Sequence, residues 1–493
     1  LSYLLSIFIF SPLLGILVLM FASNEKTARF IGTVTTLFPL VCSFVLYGTY
    51  LSGKGFDSFS EHAKWIQFGR FEQAPDLFRI DYELGVNGFS FIMMLLTAVL
   101  AALAAVTAQK ITKQVKNFYI LLLLLEIGML GVFAAENLLL FFFFFEVTLP
   151  AMFFLIGKWG KFESEKASYS YLIYNGIGSA ILLLVFAIIF GKTGTTNFDG
   201  VTDALNGGNP LGPISESLKT GLFIALFIAF GIKLPIFPLH RWMVNVHVQA
   251  PPAVVMLHAG VLLKIGAYGL IRFGMGMFPE EFDKFTTLIA ILGVVNVLYG
   301  AFLALIQTDF RRVLAYSSIS HMGIVLLGLA AANEAGVKGA IFQVISHGLI
   351  AALLFFLLGM IEDRFGTSDM KCLGGLAKNM PLFSGFLLAG AMASLGLPGM
   401  SGFIGEFLAF LGLFDTMPIA AAVGTLGIIL TAAYVLRAVL SITFGKFELD
   451  RKADVKGMEF LPILILLFFI IAIGVAPEIL GGPLGSALQL VGR

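Results

Sequence analysis

Charge is scarce in this chain. Asp, Glu, Lys and Arg make up 12% of its 493 residues, about half the roughly 25% of an ordinary soluble domain. With 58% of residues hydrophobic, too little polar surface remains to coat a water-soluble globule of this length. Cysteine is nearly absent. Cys42 sits in an apolar run and Cys372 in a polar loop, so neither a disulfide framework nor a cysteine metal centre is expected. The formal net charge is +1, which gives no basic face for nucleic acid and no pull toward an acidic partner. A glycine fingerprint in a strand–helix setting, a cysteine cluster and a haem-type ligand pair are all missing, so no redox cofactor is expected in the chain. The first apolar run has no basic flank and no small-residue cleavage site, and reads as a span rather than a signal peptide.

Long apolar runs are what the sequence does have. A run of about 20 residues crosses a bilayer, and hydropathy gives about fourteen expected helices. They cover 1–22, 31–51, 84–108, 117–135, 137–158, 168–191, 220–240, 252–274, 285–308, 312–332, 338–361, 381–413, 417–443 and 458–482. The expected fold is an all-α polytopic membrane protein. Of these spans, 137–158 follows its neighbour almost without a loop, and 381–413 is too long for one straight crossing. Two loops are long, 52–83 and 192–219, and the second is rich in Gly, Thr, Asn and Asp. Lys and Arg concentrate in alternate loops: Lys110, Lys113 and Lys116 in one, Lys158, Lys161 and Lys166 in another, Lys446, Arg451, Lys452 and Lys456 in a third. The positive-inside rule puts those loops in the cytoplasm and both termini on the outer side.

A few ionisable residues lie inside the spans, where each costs several kcal/mol and marks a functional hypothesis. Glu146 lies in FFFFFEVTLPAMFFL, Lys233 in FIAFGIKLPIFPLHRW and Lys264 in LHAGVLLKIGAYGLIRF, six residues after His258. His321 lies in YSSISHMGIVLLGL, His347 in QVISHGLIAALLFF and Glu406 in LGLPGMSGFIGEFLAF. Glu126 and Arg437 are further cases, and His240 and His247 flank a turn on the basic side. Each has an ordinary reading. A lysine near a helix end snorkels to the headgroups, a lone histidine is often a structural hydrogen bonder, Glu126 and Arg437 each serve only in packing, and His240 and His247 sit on the surface. The set carries more weight than its members. Two glutamates, two lysines and two histidines on six helices form a series able to pass protons, with histidine titrating nearest neutrality.

Two spans carry helix breakers at depth. Gly231, Pro235 and Pro238 surround Lys233; Gly396, Pro398, Gly399 and Gly402 precede Glu406. Proline removes a backbone donor and clashes with the preceding turn. Broken backbone at membrane depth is tolerated only inside protein or beside a hydrated cavity, an arrangement that transporters use in corresponding helices of inverted repeats. The breaks fall five spans apart, in helices 7 and 12. That spacing suggests two inverted five-helix units, 116–275 and 280–445, preceded by helices 1–3 over 1–115 and followed by helix 14 over 446–493.

These stretches resemble the antiporter-like membrane subunits of proton-pumping NADH:quinone oxidoreductase (complex I). The matching segments are FEVTLPAMFFLIGKWG at 145–160, KLPIFPLHRWMVNVHVQAPPAVVMLHAGVLLKIGAYGLIRF at 233–273, IQTDFRRVLAYSSISHMGIVLLGL at 306–329, QVISHGLIAALLFFLLGMIEDR at 343–364 and GLPGMSGFIGEFL at 396–408. The resemblance implies that Glu146 and Lys233 form an ion pair, that Lys264 is the central lysine, that His321 and His347 bridge onward, and that Glu406 is the terminal acid where sibling subunits carry Lys. Glu126, His240, His258 and Arg437 are accessory candidates. It further implies that NAD, FMN, iron–sulfur clusters and quinone belong to partner subunits, and that antiporter-like siblings flank this chain in a bacterial cell membrane. Three other readings stay open. The chain could serve a multi-chain sodium/proton antiporter, a hydrogenase- or ferredoxin-linked proton pump, or as a structural spacer whose charges only pack helices.

Overall fold

A computed structural model describes residues 3–69 and 77–489. Most of the chain is helical, as the long apolar runs require. The N-terminal part comprises α1 (Leu4–Met20), α2 (Glu25–Leu51), strands β1 (Ser60–Gln67) and β2 (Arg79–Gly85), and α3 (Gly88–Thr107). Then come α4 (Val115–Ala134), α5 (Leu138–Trp159), α6 (Ser164–Thr193) and the short α7 (Phe198–Asp203). The first broken span is α8 (Glu216–Lys233) and α9 (Arg241–Gln249). The next span winds through α10 (Pro252–Leu257) and α11 (Leu263–Gly269), with π-helical turns at His258–Leu262 and Leu270–Met275. Long helices α12 (Pro279–Ile306), α13 (Phe310–Ala330) and α14 (Glu334–Phe365) follow, then the single turn α15 (Leu376–Asn379). The second broken span is α16 (Pro381–Ser394) and α17 (Ser401–Thr416). The chain continues through α18 (Pro418–Thr443), α19 (Phe460–Val475) and α20 (Glu478–Gln489).

Among the described residues, eleven helices are long and apolar enough to cross a membrane. The three remaining expected spans depart for local reasons. The first is the shorter α1, the helix of 220–240 stops at Lys233 before its prolines, and 381–413 divides at its Gly/Pro cluster. The expected span 458–482 also stops early, at Val475, just before Pro477. The abrupt junction expected between 117–135 and 137–158 is real: α4 and α5 are separated by Ala135, Glu136 and Asn137, and the Asn137 side chain caps α5 by accepting from the Leu140 amide at 2.8 Å.

The loop expected over 52–83 holds an antiparallel hairpin, β1 pairing with β2 from Ser60↔Gly85 to Gln67↔Arg79. The segment Arg79-Ile80-Asp81-Tyr82-Glu83-Leu84 alternates polar and apolar residues, a two-residue period that favours strand over coil. The hairpin braces the bundle. Glu61 accepts from the backbone amides of Leu5 at 2.6 Å and Ser6 at 3.1 Å, and from the Ser6 hydroxyl. Its carboxylate thereby meets the unpaired N–H groups at the start of α1. On the hairpin, His62, Asp81 and Glu83 lie close enough to face one ion, but Arg79 already binds Asp81, with Nη2 at 2.8 Å.

One close helix crossing fixes the place of Glu406. A Cβ on Gly339 of α14 would collide with the Ala409 backbone nitrogen, and one on Gly405 of α17 would lie 2.6 Å from the Gln343 side chain. Only hydrogen fits at either point. The two helices therefore touch backbone to backbone, and Glu406 is held against the face of α14.

Candidate proton-relay site

Lys264 sits on α11, directly after a π-helical turn, and is fully buried. Its ammonium nitrogen lies 2.6 Å from Nδ1 of His347 on α14 and 3.8 Å from the Met322 sulfur on α13. The rings of His347 and His321 are 5.4 Å apart between centroids. His321, on α13, has its Nδ1 3.6 Å from Oε1 of Glu406 on α17 and 3.1 Å from Nε2 of Gln343. Its Nε2 lies 3.4 Å from the Ser394 hydroxyl at the end of α16. Four ionisable groups from four helices thus stand in line, each next to the following one, with no exposed residue among them. A lysine against an imidazole nitrogen, then a neighbouring imidazole, then a carboxyl group, is an arrangement in which a proton can change owner without crossing a long apolar gap.

The Glu406 end depends on the second break. Gly396 has φ +75°, and a Cβ there would lie 2.5 Å from Oε2 of Glu406. Glycine is therefore needed twice over, for the left-handed backbone and for the space the carboxylate fills. Ser401, opening α17, shares a 2.7 Å hydrogen bond with Ser346 of α14.

At the first break, α8 ends on Lys233 and α9 begins at Arg241. The freed backbone is satisfied from the neighbouring helix α12. Buried Asn296 accepts from the Phe237 amide at 2.7 Å and donates to the Pro235 carbonyl at 3.2 Å, and the Trp242 indole donates to the Ile232 carbonyl at 3.1 Å. This is the internal accounting that broken backbone at membrane depth requires.

The expected ion pair of Glu146 and Lys233 is not closed. The Lys233 ammonium lies 5.0 Å from the Phe145 ring centre and 5.6 Å from that of Tyr171, contacts that hold a cation by the electron-rich ring faces. Glu146 is within electrostatic range of Lys233 but not within ion-pair distance, and its Oε1 is buried without a hydrogen-bond partner. The ammonium faces the Phe145 and Tyr171 rings instead.

The accessory candidates separate into groups. His258 belongs to the interior: its Nδ1 lies 2.9 Å from Nε2 of His247, and its ring is 5.4 Å from Trp242 and 6.1 Å from Tyr171. The surface reading of His240 and His247 is overturned. His247 is fully buried, and His240 is buried with its Nε2 3.1 Å from the Tyr299 hydroxyl. The turn they flank folds back into the protein because α9 packs against α6 and α13. Glu126 on α4 is fully buried with both oxygens unpartnered. Arg437 on α18 is exposed and donates to the Gln307 carbonyl at 2.5 Å, at the end of α12, away from the relay.

Sequence reasoning passed over Gln343, Asn296 and Tyr171. Gln343 carried a signal: it stands four residues before His347, one helical turn on the same face. Asn296 is an isolated amide in an apolar run. Tyr171, whose hydroxyl is buried without a partner, stands between Lys233 and His258 only in three dimensions.

Residues 135–431 match the family described as NADH:quinone oxidoreductase/Mrp antiporter, TM. The chain is similar to the NADH-quinone oxidoreductase subunit M of Rhodobacter capsulatus, 36% identical over 98% of this chain and 95% of that protein. It is likewise similar to the NAD(P)H-quinone oxidoreductase chain 4 1 of Synechococcus sp. (strain JA-3-3Ab), 37% identical over 96% of this chain and 90% of that protein. Among solved structures, a chain of respiratory complex I from Thermus thermophilus with bound NADH superposes with a TM-score of 0.87 at 27% identity, covering 99% of this chain and 100% of that one. A chain of the Mrp complex from Dietzia sp. DQ12-45-1b gives 0.83 at 22% identity over 99% of both chains, a likeness of fold alone.

Proposed function

The chain belongs to the NADH:quinone oxidoreductase/Mrp antiporter family of membrane proteins, and on that premise we propose that it is the M-type (chain 4) membrane-arm subunit of a respiratory NADH:quinone oxidoreductase, carrying protons across the bilayer without a redox cofactor of its own. The observation that carries this reading is the buried series Lys264, His347, His321 and Glu406. A chain so short of charge keeps four adjacent ionisable groups at depth at a cost of several kcal/mol. Helix packing alone needs no such row.

In this reading Lys233 is the movable cation. While it rests on the Phe145 and Tyr171 rings, Glu146 attracts it from a distance. Displacement of Lys233 toward Lys264 raises the energy of the protonated Lys264. At an effective dielectric of about 20, a unit charge arriving at about 8 Å costs about 2 kcal/mol. That cost, about 1.5 pKa units, pushes the proton toward His347, then His321, then Glu406, which discharges outward or signals the next subunit. The two breaks belong to two five-helix units, 116–275 and 280–445, of opposite orientation, each supplying one half of the path.

The multi-pass chain then lies in a bacterial cell membrane, with its basic loops in the cytoplasm, both termini outside, and antiporter-like siblings on either side. NAD, FMN, iron–sulfur clusters and quinone reside in partner subunits, which perform the electron transfer. Sodium, in place of the proton, is the rival cargo.

The deciding experiment measures protons moved per NADH oxidised in inverted membrane vesicles carrying Lys264→Ala, with assembly checked by native gel. The ratio is expected to fall sharply in an assembled complex. A wild-type ratio would make Lys264 a packing residue and end the reading. Pumping that requires Na+ in the medium would move the chain to the sodium antiporter class.

A further inference from the structure

Arg311 opens α13 and is almost completely buried. A buried guanidinium is costly unless every side of it is engaged, and here every side is. Its Nη1 donates to three carbonyls at the C-terminal end of α9: His247 at 3.0 Å, Val248 at 3.3 Å and Ala250 at 2.8 Å. Its Nε and Nη2 grip Glu362, in the last turn of α14, at 2.9 and 2.5 Å. Lys161, in the α5–α6 loop, reaches the same carboxylate at 2.5 Å, and its backbone amide donates to the Gln249 carbonyl at 2.8 Å. The last carbonyls of a helix have no partners within it. Here the four at the end of α9, from residues 247 to 250, are all taken up by Arg311 and Lys161.

This end of α9 carries His247, whose ring bonds His258 at 2.9 Å. One of the carbonyls Arg311 holds belongs to His247 itself. The half-helix after the first break has only nine residues, too few to hold its own position by helix cooperativity. Beyond its packing against α6 and α13, it is held at its ends, by the Asn296 and Trp242 hydrogen bonds at the break and by Arg311 at the far end.

We propose that Arg311 is a positioning residue for the His247–His258 pair, strapping α9 to α13 and α14 through Glu362 and so fixing His258 in place six residues before Lys264 on the same span. The strap spans the two halves of the chain, α9 in one and α13 and α14 in the other. Movement of either half at Glu362 is thereby transmitted to His247. This inference rests on the proton-pumping reading, since it assigns the pair a place in that path.

The test measures protons moved per NADH oxidised in inverted vesicles for Arg311→Gln, Arg311→Lys, His247→Gln and the double variant, normalised to assembled complex. Arg311→Gln is expected to lower the ratio about twofold or more, the scale at which coupling contacts act. Arg311→Lys should restore part of it, because an ammonium reaches carbonyls but cannot hold Glu362 through a two-pronged grip. The double variant should be no worse than His247→Gln alone. A wild-type ratio in assembled Arg311→Gln, no rescue by lysine, or losses that multiply in the double variant would each overturn the proposal. Should Arg311→Gln fail to assemble, Glu362→Gln decides: a lowered ratio supports the strap and a wild-type ratio ends it. Lys264→Ala in the same vesicles separates the two claims. A low ratio there with a normal one in Arg311→Gln removes the strap and leaves the pump, whereas a normal ratio in Lys264→Ala removes the pump.

Discussion

The Lys264 ammonium lies 2.6 Å from Nδ1 of His347, joining α11 to α14 across 83 positions of sequence. At this distance one hydrogen bond joins the two side chains, so that the protonation of one bears on the other. Removing either should therefore do most of the damage that removing both does. Lys264→Met, His347→Leu and the double variant are expected to give nearly the same loss of protons per NADH. A double-mutant cycle measures this as a coupling of about 0.5–3 kcal/mol. Independent losses would separate the two residues.

Gly396→Ala tests the second break. The added methyl would lie 2.5 Å from a Glu406 oxygen, and the residue would be forced to keep φ +75°. An alanine there is expected to displace Glu406 from His321 and to lower pumping about as much as Glu406→Gln does. Stability should fall by about 1–3 kcal/mol, the usual cost of an overpacked site. Pumping assays and thermal inactivation of the purified complex measure the two effects, and normal pumping would show that Glu406 needs no fixed place.

Glu126→Gln and Arg437→Ala are expected to keep the wild-type proton ratio. No polar group meets the Glu126 oxygens, so an amide of the same shape gives up no partner. Arg437 is exposed and makes its hydrogen bond to the Gln307 carbonyl, a contact contributing about 1 kcal/mol. A several-fold fall in pumping with either variant would bring that residue into the path.

The hairpin should loosen in acid. Asp81 is buried, which by itself would raise its carboxyl, but Arg79 and then His62 hold it below the usual carboxylate range. A lowered folded value means the stabilisation is present at neutral pH and is lost as pH falls through that value. Protection of residues 60–67 and 79–85 from amide hydrogen exchange, taken relative to the intrinsic rate at each pH, is expected to be high at neutral pH and to fall below about pH 4, the ordinary carboxylate range. Arg79→Gln should move the onset to higher pH. An onset unchanged by that variant would show that Arg79 does not hold the strand.

Much of this fold is legible in the order of residues. Apolar runs place the long helices, and Gly231, Pro235, Pro238, Gly396 and Pro398 mark where two of them break. The hairpin was legible too, in the alternation from Arg79 to Leu84, but it stands inside a segment whose composition reads as loop. The relay members were visible because an ionisable residue inside an apolar run stands out whatever the fold. His247 was harder. Its neighbours Arg241, Trp242, Asn245 and Gln249 resemble a polar turn, and only the packing of α9 against α6 and α13 buries it.

The sequence by itself determined that this is a helical membrane protein with charges at depth beside broken helices, because hydropathy and backbone chemistry are local properties. The tertiary structure decided which of those charges meet. Glu146 and Lys233, paired by resemblance, do not meet, and the Lys233 ammonium lies against the Phe145 and Tyr171 rings. Lys264, His347, His321 and Glu406, scattered over four helices, are brought into line. Contacts between distant helices are set by steric fit, as where Gly339 and Gly405 let α14 and α17 touch, and no local rule of sequence encodes that fit.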